Sequence, residues 1–148
     1  MKKAAHFLWC LVFILYCALM LWLLFDRNRY DPAIPYWDQV QQNMNLTPFH
    51  TIRLYVRLFL NSERPVLVKV AAVNLLGNVA MFIPLGFLPP KAFPRMNRLW
   101  KVLLTTALTI TAVEIIQLLG MVGSCDVDDL ILNVCGAALG YWIVKRIP

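Results

Sequence analysis

The sequence predicts an all-α, polytopic membrane helix bundle with four transmembrane helices plus an outer interfacial or re-entrant helix, expected as a single domain over residues 1–148. Three observations carry this. Of the 148 residues, 60% are hydrophobic and only 15% charged, against about a quarter charged in a soluble domain, and the mean hydropathy is +0.64. The apolar residues gather in four runs, each near the ~20 residues that a helix needs to cross a bilayer core about 30 Å thick. Basic residues bracket these runs instead of forming a stripe on a soluble face. The formal charge of +6 is therefore a topology signal, and no nucleic-acid partner is expected.

The first span covers residues 4–25 and contains no charge. Lys2 and Lys3 before it resemble the basic start of a signal peptide, but the run is long for one and ends in Asp26-Arg27-Asn28-Arg29 without a small-residue cleavage site, so it is expected to stay as an anchor. The second span, residues 66–88, opens after Pro65 and is expected to close at Pro89-Pro90. The third covers residues 99–122 and the fourth residues 127–144, the latter short enough that its ends must snorkel. Trp9, Trp22, Trp100 and Trp142 fall near span ends, as an aromatic belt requires.

With the N-terminus inside, the inner segments hold Lys2, Lys3, Lys91, Arg95, Arg98, Lys101, Lys145 and Arg146 and no acidic residue. The outer segments mix Arg27, Arg29, Arg53, Arg57, Arg64 and Lys69 with Asp26, Asp31, Asp38, Glu63, Asp126, Asp128 and Asp129. This asymmetry places both termini in the cytoplasm. The outer loop, residues 26–65, is too long for a simple turn. Its residues 51–60 read as a short helix with Ile52, Tyr55, Val56 and Phe59 on one face beside Arg53 and Arg57, either lying in the interface or forming a lid on the bundle.

Polar groups inside a span are costly and normally face the protein interior. On the second span Asn74, Gly77, Asn78 and Met81 share one face by their i, i+3, i+4, i+7 spacing. Pro84 removes a hydrogen bond to Ala80 and is expected to kink this helix, with Gly86 adding slack. On the third, Glu114 and Gln117 share a face, and Glu114 is the one acidic residue deep in any span. On the fourth, Asp126, Asp129, Asn133, Gly136 and Gly140 form a stripe that is polar outside and small inside. Glu114 lies about eight residues, roughly 12 Å at 1.5 Å rise, below the outer end of its span, and Asn74 and Asn133 lie at a similar depth. Together Asn74, Asn78, Glu114, Gln117, Asp126, Asp129 and Asn133 are the expected lining of an outward-facing polar pocket.

Blander roles compete with this one. Asp126, Asp128 and Asp129 open a helix and serve as caps. The amides suit bonds across helices, and Gly136-x-x-x-Gly140 suits close helix approach within the bundle. The four cysteines make no Cys-x-x-Cys pair and read as small apolar fillers, with a redox role left open for Cys125 and Cys135. No metal or cofactor is expected.

Four ordered blocks carry a family resemblance: Asn45-Leu46-Thr47-Pro48-Phe49-His50-Thr51-Ile52; Asn74-Leu75-Leu76-Gly77-Asn78 with Phe82-Ile83-Pro84-Leu85-Gly86; Glu114-Ile115-Ile116-Gln117; and Asp126-Val127-Asp128-Asp129 with Asn133 and Gly136. From about Asn45 onward the chain resembles the VanZ-like family of small bacterial membrane proteins. The resemblance implies association with reduced susceptibility to glycopeptide antibiotics, chiefly the lipid-tailed teicoplanin. Family members usually carry an arginine just before the Asp-rich block, where this chain has Gly123, Ser124 and Cys125. Its carboxylates are then left to amides, water or an outer-loop arginine such as Arg53 or Arg57.

Three functions remain open at this stage. One is a non-catalytic envelope protein whose pocket handles an amphiphilic or lipid-linked ligand, with membrane lipids as its surroundings. Another is a membrane-embedded enzyme acting on a lipid-linked substrate, with Glu114 and Asp129 as acid and base. His50, alone on the outer loop, is a weaker catalytic candidate. The last is an assembly partner that packs against itself or another membrane protein.

Overall fold

A computed structural model describes residues 2–26 and 29–147, so Arg27 and Asn28 lie outside the described residues. Among the described residues six α-helices dominate: α1 (Lys2–Phe25), α2 (Tyr36–Gln42), α3 (His50–Asn61), α4 (Pro65–Ala92), α5 (Leu99–Leu119) and α6 (Val127–Arg146). Two short strands, β1 (Met44–Asn45) and β2 (Cys125–Asp126), pair in parallel with Met44 opposite Cys125 and Asn45 opposite Asp126. Helices α1, α4, α5 and α6 are each long and apolar enough to cross a membrane, as the all-α bundle prediction requires.

The closest packing is between α4 and α6, and glycine makes it possible. A Cβ at Gly136 would overlap the Val79 carbonyl oxygen, one at Gly140 the Ile83 carbonyl, and one at Gly86 the Ala137 carbonyl. Without a hydrophobic driving force between helices in lipid, such backbone approach is what contact depends on. Gly86 therefore serves packing rather than slack in the helix.

Helix α1 lies at the margin of the bundle and turns one stripe toward α4. Trp9 meets Phe87 edge-on at 6.0 Å, and Phe13 meets Phe93 at 5.5 Å. One turn on, the Tyr16 hydroxyl donates to the Met81 carbonyl at 2.9 Å. Met20 then joins Phe82 and Ile110 in the central apolar cluster. Its other faces, Leu8, Leu15 and Leu19 among them, are exposed, which suits a helix against lipid tails. Trp22, Trp100 and Trp142 are exposed near helix ends as expected, whereas Trp9 is half-buried on Phe87.

Two helix boundaries differ from the sequence expectation by more than two residues. Helix α4 runs through Pro89 and Pro90 to Ala92 and closes with the Phe93 amide on the Pro89 carbonyl at 2.7 Å. Proline already has a helical φ, and the burial of Leu88, Pro89 and Ala92 holds the helix past the point where the doublet would end it in water. Helix α5 stops at Leu119 rather than 122. Met121 takes a left-handed φ of 53°, and the amides of Val122 and Gly123 fold back on the Gln117 carbonyl at 3.0 and 3.2 Å. This reversal delivers residues 125–126 to β1.

Side-chain bonds hold the described residues just before α3. Gln39, 2% exposed, accepts from the Asp31 amide at 2.9 Å and donates to the Asp31 and Ile34 carbonyls at 2.8 Å each. Tyr36 donates to the Leu119 carbonyl at 2.8 Å and so caps the end of α5. At the opposite end of the bundle, Tyr141 donates to the Asn97 carbonyl at 3.0 Å and Lys145 to the Asn97 side chain. Cys10 reaches the Ala92 carbonyl at 3.7 Å. The termini and the α4–α5 turn therefore share one end, and the loop carrying α2, α3 and the strands occupies the other.

Candidate functional site

The turn of chain that opens α6 distributes three carboxylates to three tasks. Asp126 is the N-cap and accepts from the Asp128 amide at 2.9 Å. It also accepts from Thr51 Oγ1 at 2.6 Å and Asn45 Nδ2 at 3.1 Å. Asp128, 0% exposed, reaches the same stretch of the loop and accepts from the backbone amides of Phe49 at 2.5 Å and Ile52 at 3.0 Å. These are free N–H groups at the start of α3, so a carboxylate from α6 caps a second helix. Asp129 faces the bundle and accepts from Asn78 Nδ2 on α4 at 2.6 Å.

Between α1, α4, α5 and α6 lies a cavity of about 260 Å³. Its polar part is lined by Asn78, Glu114, Gln117, Ser124, Asp129 and Asn133. Its apolar part comes from α1, α4 and α5, including Met20, Leu24, Met81, Phe82, Ile110 and Val113. Helix α1 packs along α4 and is tied to α5 near the loop end, where Gln117 Nε2 donates to the Leu24 carbonyl at 2.6 Å. That bond satisfies one of the last carbonyls of α1, which have no partner inside their own helix.

Five of the seven expected pocket residues thus come together: Asn78, Glu114, Gln117, Asp129 and Asn133. Asn74 does not. Its amide donates to the Val70 carbonyl of its own helix at 2.8 Å, a local bond open to any polar side chain in a helix. Asp126 does not line the cavity either, because capping and the bond to Thr51 turn it toward the loop. Sharing a stripe with Asn78 or Asp129 gave both the right helix face but not the right level or direction.

The sequence reading also missed a wall of the cavity. Helix α1 contributes Tyr16, Cys17, Met20, Leu21 and Leu24, and in a charge-free run the one strong hint was the hydroxyl of Tyr16. Asp128 was singled out only as a cap of its own helix, whereas the helix it caps is α3.

Glu114 is 7% exposed and lies 3.9 Å from Cys125 Sγ, which donates to its Oε2. Burial, then the neighbouring Glu114 and Asp126, push the Cys125 thiol above its ordinary range. It stays a thiol at neutral pH, and a thiol is not the nucleophilic form. Cys10, Cys17, Cys125 and Cys135 are all unpaired with one another. Asn133 is 5% exposed, and its Oδ1 is buried with no hydrogen-bond partner. The outer-loop arginines Arg53 and Arg57 are exposed, so Asp126 and Asp128 draw on hydroxyl, amide and backbone donors in their place.

Comparison with known proteins agrees with these blocks. A family model described as VanZ/LLP1 matches residues 13–147. "Protein VanZ" of Enterococcus faecium is 28% identical over 126 residues, which cover 85% of this chain and 66% of that protein. No solved structure matches. With the family model covering nearly the whole chain and four apolar helices packed as a bundle, the protein belongs to the VanZ/LLP1 family and is a multi-pass membrane protein.

Proposed function

We propose that this protein binds an amphiphile in the cavity between α1, α4, α5 and α6, and that it thereby lowers susceptibility to lipid-tailed glycopeptides such as teicoplanin. The observation that carries the proposal is the two-sided lining, with carboxylates and amides at one level and an apolar wall from α1, α4 and α5 below it. A polar cluster used only for packing would be closed by its own members. Here Asn133 Oδ1 is left without a donor, as in a site that awaits one.

The loop end is proposed to face outward in the bacterial cytoplasmic membrane, with both termini inside. Lys91, Arg95, Arg98, Lys101, Lys145 and Arg146 all fall near the terminal end, which supports that orientation. An antibiotic tail dissolved in the outer leaflet would then reach the cavity from the side on which the drug arrives. A cavity of about 260 Å³ is smaller than the roughly 300–1,000 Å³ of drug-sized sites, so a tail and its point of attachment would enter while the peptide cage stays outside. Resistance by this route needs no bond cleavage.

The test is susceptibility in a Gram-positive host lacking a homologue, with the chain expressed from a plasmid. Protection should extend to teicoplanin and not to vancomycin, which has no lipid tail, and Glu114→Ala should abolish it at equal expression. Equal protection against both drugs would remove the tail from the explanation. Release of a modified lipid-linked precursor by purified protein would favour the acid–base reading of Glu114 and Asp129 instead.

A further inference from the structure

The chemistry of the cavity specifies what its ligand must present, an inference that rests on the binding reading above. Two amide nitrogens at its rim are engaged within the protein. Asn78 Nδ2 is on Asp129 and Gln117 Nε2 is on the Leu24 carbonyl, both at 2.6 Å. Beside the hydroxyls of Thr109 and Ser124 and the Asn133 amide nitrogen, two acceptors in the lining are left unspent or nearly so. The Glu114 carboxyl receives a thiol at 3.9 Å, a weak donor, and Asn133 Oδ1 receives nothing. Among the described residues that line the cavity there is no Lys, Arg or His. A buried acceptor without a donor costs stability, so a ligand that brings donors gains what the protein forgoes.

A second cavity, also about 260 Å³, lies toward the terminal end and is lined by Phe13, Pro89, Phe93, Val102 and Thr106 among others. Leu85 and Thr109 line both cavities. The two abut, polar at the loop end and almost wholly apolar below.

We propose that they form one slot for a single-chain amphiphile whose head is a protonated amine. The ammonium would sit between Glu114 and Asn133 Oδ1, and the chain would pass Leu85 and Thr109 into the second cavity. An ammonium offers three donors and no acceptor, the complement of Asn133 Oδ1 and the Glu114 carboxyl. A carboxylate head would set acceptors against acceptors, and a hydroxyl would forgo the charge-assisted bond. A resident phospholipid with an ammonium head shares this chemistry but carries two chains.

The experiment uses the purified full chain in phosphatidylcholine nanodiscs and compares hexadecylamine, hexadecanol and hexadecanoate by native mass spectrometry. The amine should bind at least about tenfold more tightly than either of the others, the step that one charge-assisted hydrogen bond supplies. Glu114→Gln and Asn133→Leu should each reduce it toward the alcohol. Thr109→Trp, which narrows the junction, should shift preference to shorter amines without changing the preference for the head. Each variant is first checked for native helical content, and if Glu114→Gln does not fold, Asn133→Leu decides the same question.

Equal binding of all three heads, insensitive to both substitutions, would overturn the ammonium assignment and leave the amphiphile reading standing. Failure of every amphiphile to bind would overturn both. Displacement of the amine by added phosphatidylethanolamine would overturn the single-chain claim, since a two-chain lipid would then be the occupant.

Discussion

Asp126, Asp128 and Asp129 sit within one helical turn, yet each answers to a different part of the molecule. Asp128 accepts two backbone amides from the start of α3 while wholly buried. Replacing it by alanine strands those donors and releases the loop, at a cost of about 2–3 kcal/mol for hydrogen bonds to a charged group. Thermal unfolding in detergent should show the loss, and limited proteolysis should cut within residues 44–61 first. Asp126→Asn should be milder, because an amide oxygen in the place of Oδ1 still caps α6 while only the bond that Thr51 donates to Oδ2 is lost. Tyr55 reports the same region. Burial raises its phenol above the ordinary value near 10, Asp129 and Asp126 add to the rise, and Arg29 opposes it. The phenol is therefore neutral at physiological pH. An acid whose folded value is raised leaves stability unchanged below its ordinary range and lowers it as pH climbs through that range and beyond. In a phenolate absorbance titration, Tyr55→Phe should remove signal from the late, high-pH part of the curve.

Among the elements, the α4–α6 contact holds the cavity in register, because Asn78 and Asp129 meet only if these two helices touch. Gly140→Leu would drive a side chain into the Ile83 carbonyl. It should cost about 3 kcal/mol or more, the upper end of overpacking. Gly77→Ala is the control, since a Cβ there meets only Val73 at 3.9 Å. The variants should separate clearly in melting temperature, with Gly77→Ala near wild type. The sequence made this contact legible, because Gly136-x-x-x-Gly140 is readable without tertiary knowledge. The α4 ending was less legible, since Pro89-Pro90 carries a local signal that burial at Ala92 overrides. Helix α2 and the β1–β2 ladder were not legible at all. Residues 36–42 and 44–45 are too short for periodicity to register, and their order comes from Gln39, Tyr36 and the turn at Met121.

For the molecule as a whole, the candidate site was legible where polar residues are conspicuous, on α4, α5 and α6. It was illegible on α1, whose wall is built from apolar residues that look like any other span. Asn74 was expected in the lining and is absent from it, because a shared face does not reveal whether a side chain bonds across helices or back to its own. Orientation is tested at this scale. A membrane-impermeant thiol reagent applied to intact cells should label a cysteine introduced at Glu63 in the loop and spare one introduced at Arg98 near the terminal end. The central claim is that α1, α4, α5 and α6 enclose a cavity with Glu114 and Asn133 at its polar level. It is tested most directly by crystals of the full chain grown from a lipidic phase with hexadecylamine. The account requires chain-like density beside Leu85 and Thr109 that ends in the polar cavity next to Glu114 and Asn133. Helix α1 collapsed onto α5 with no space between them, or Glu114 turned out into lipid, would contradict it.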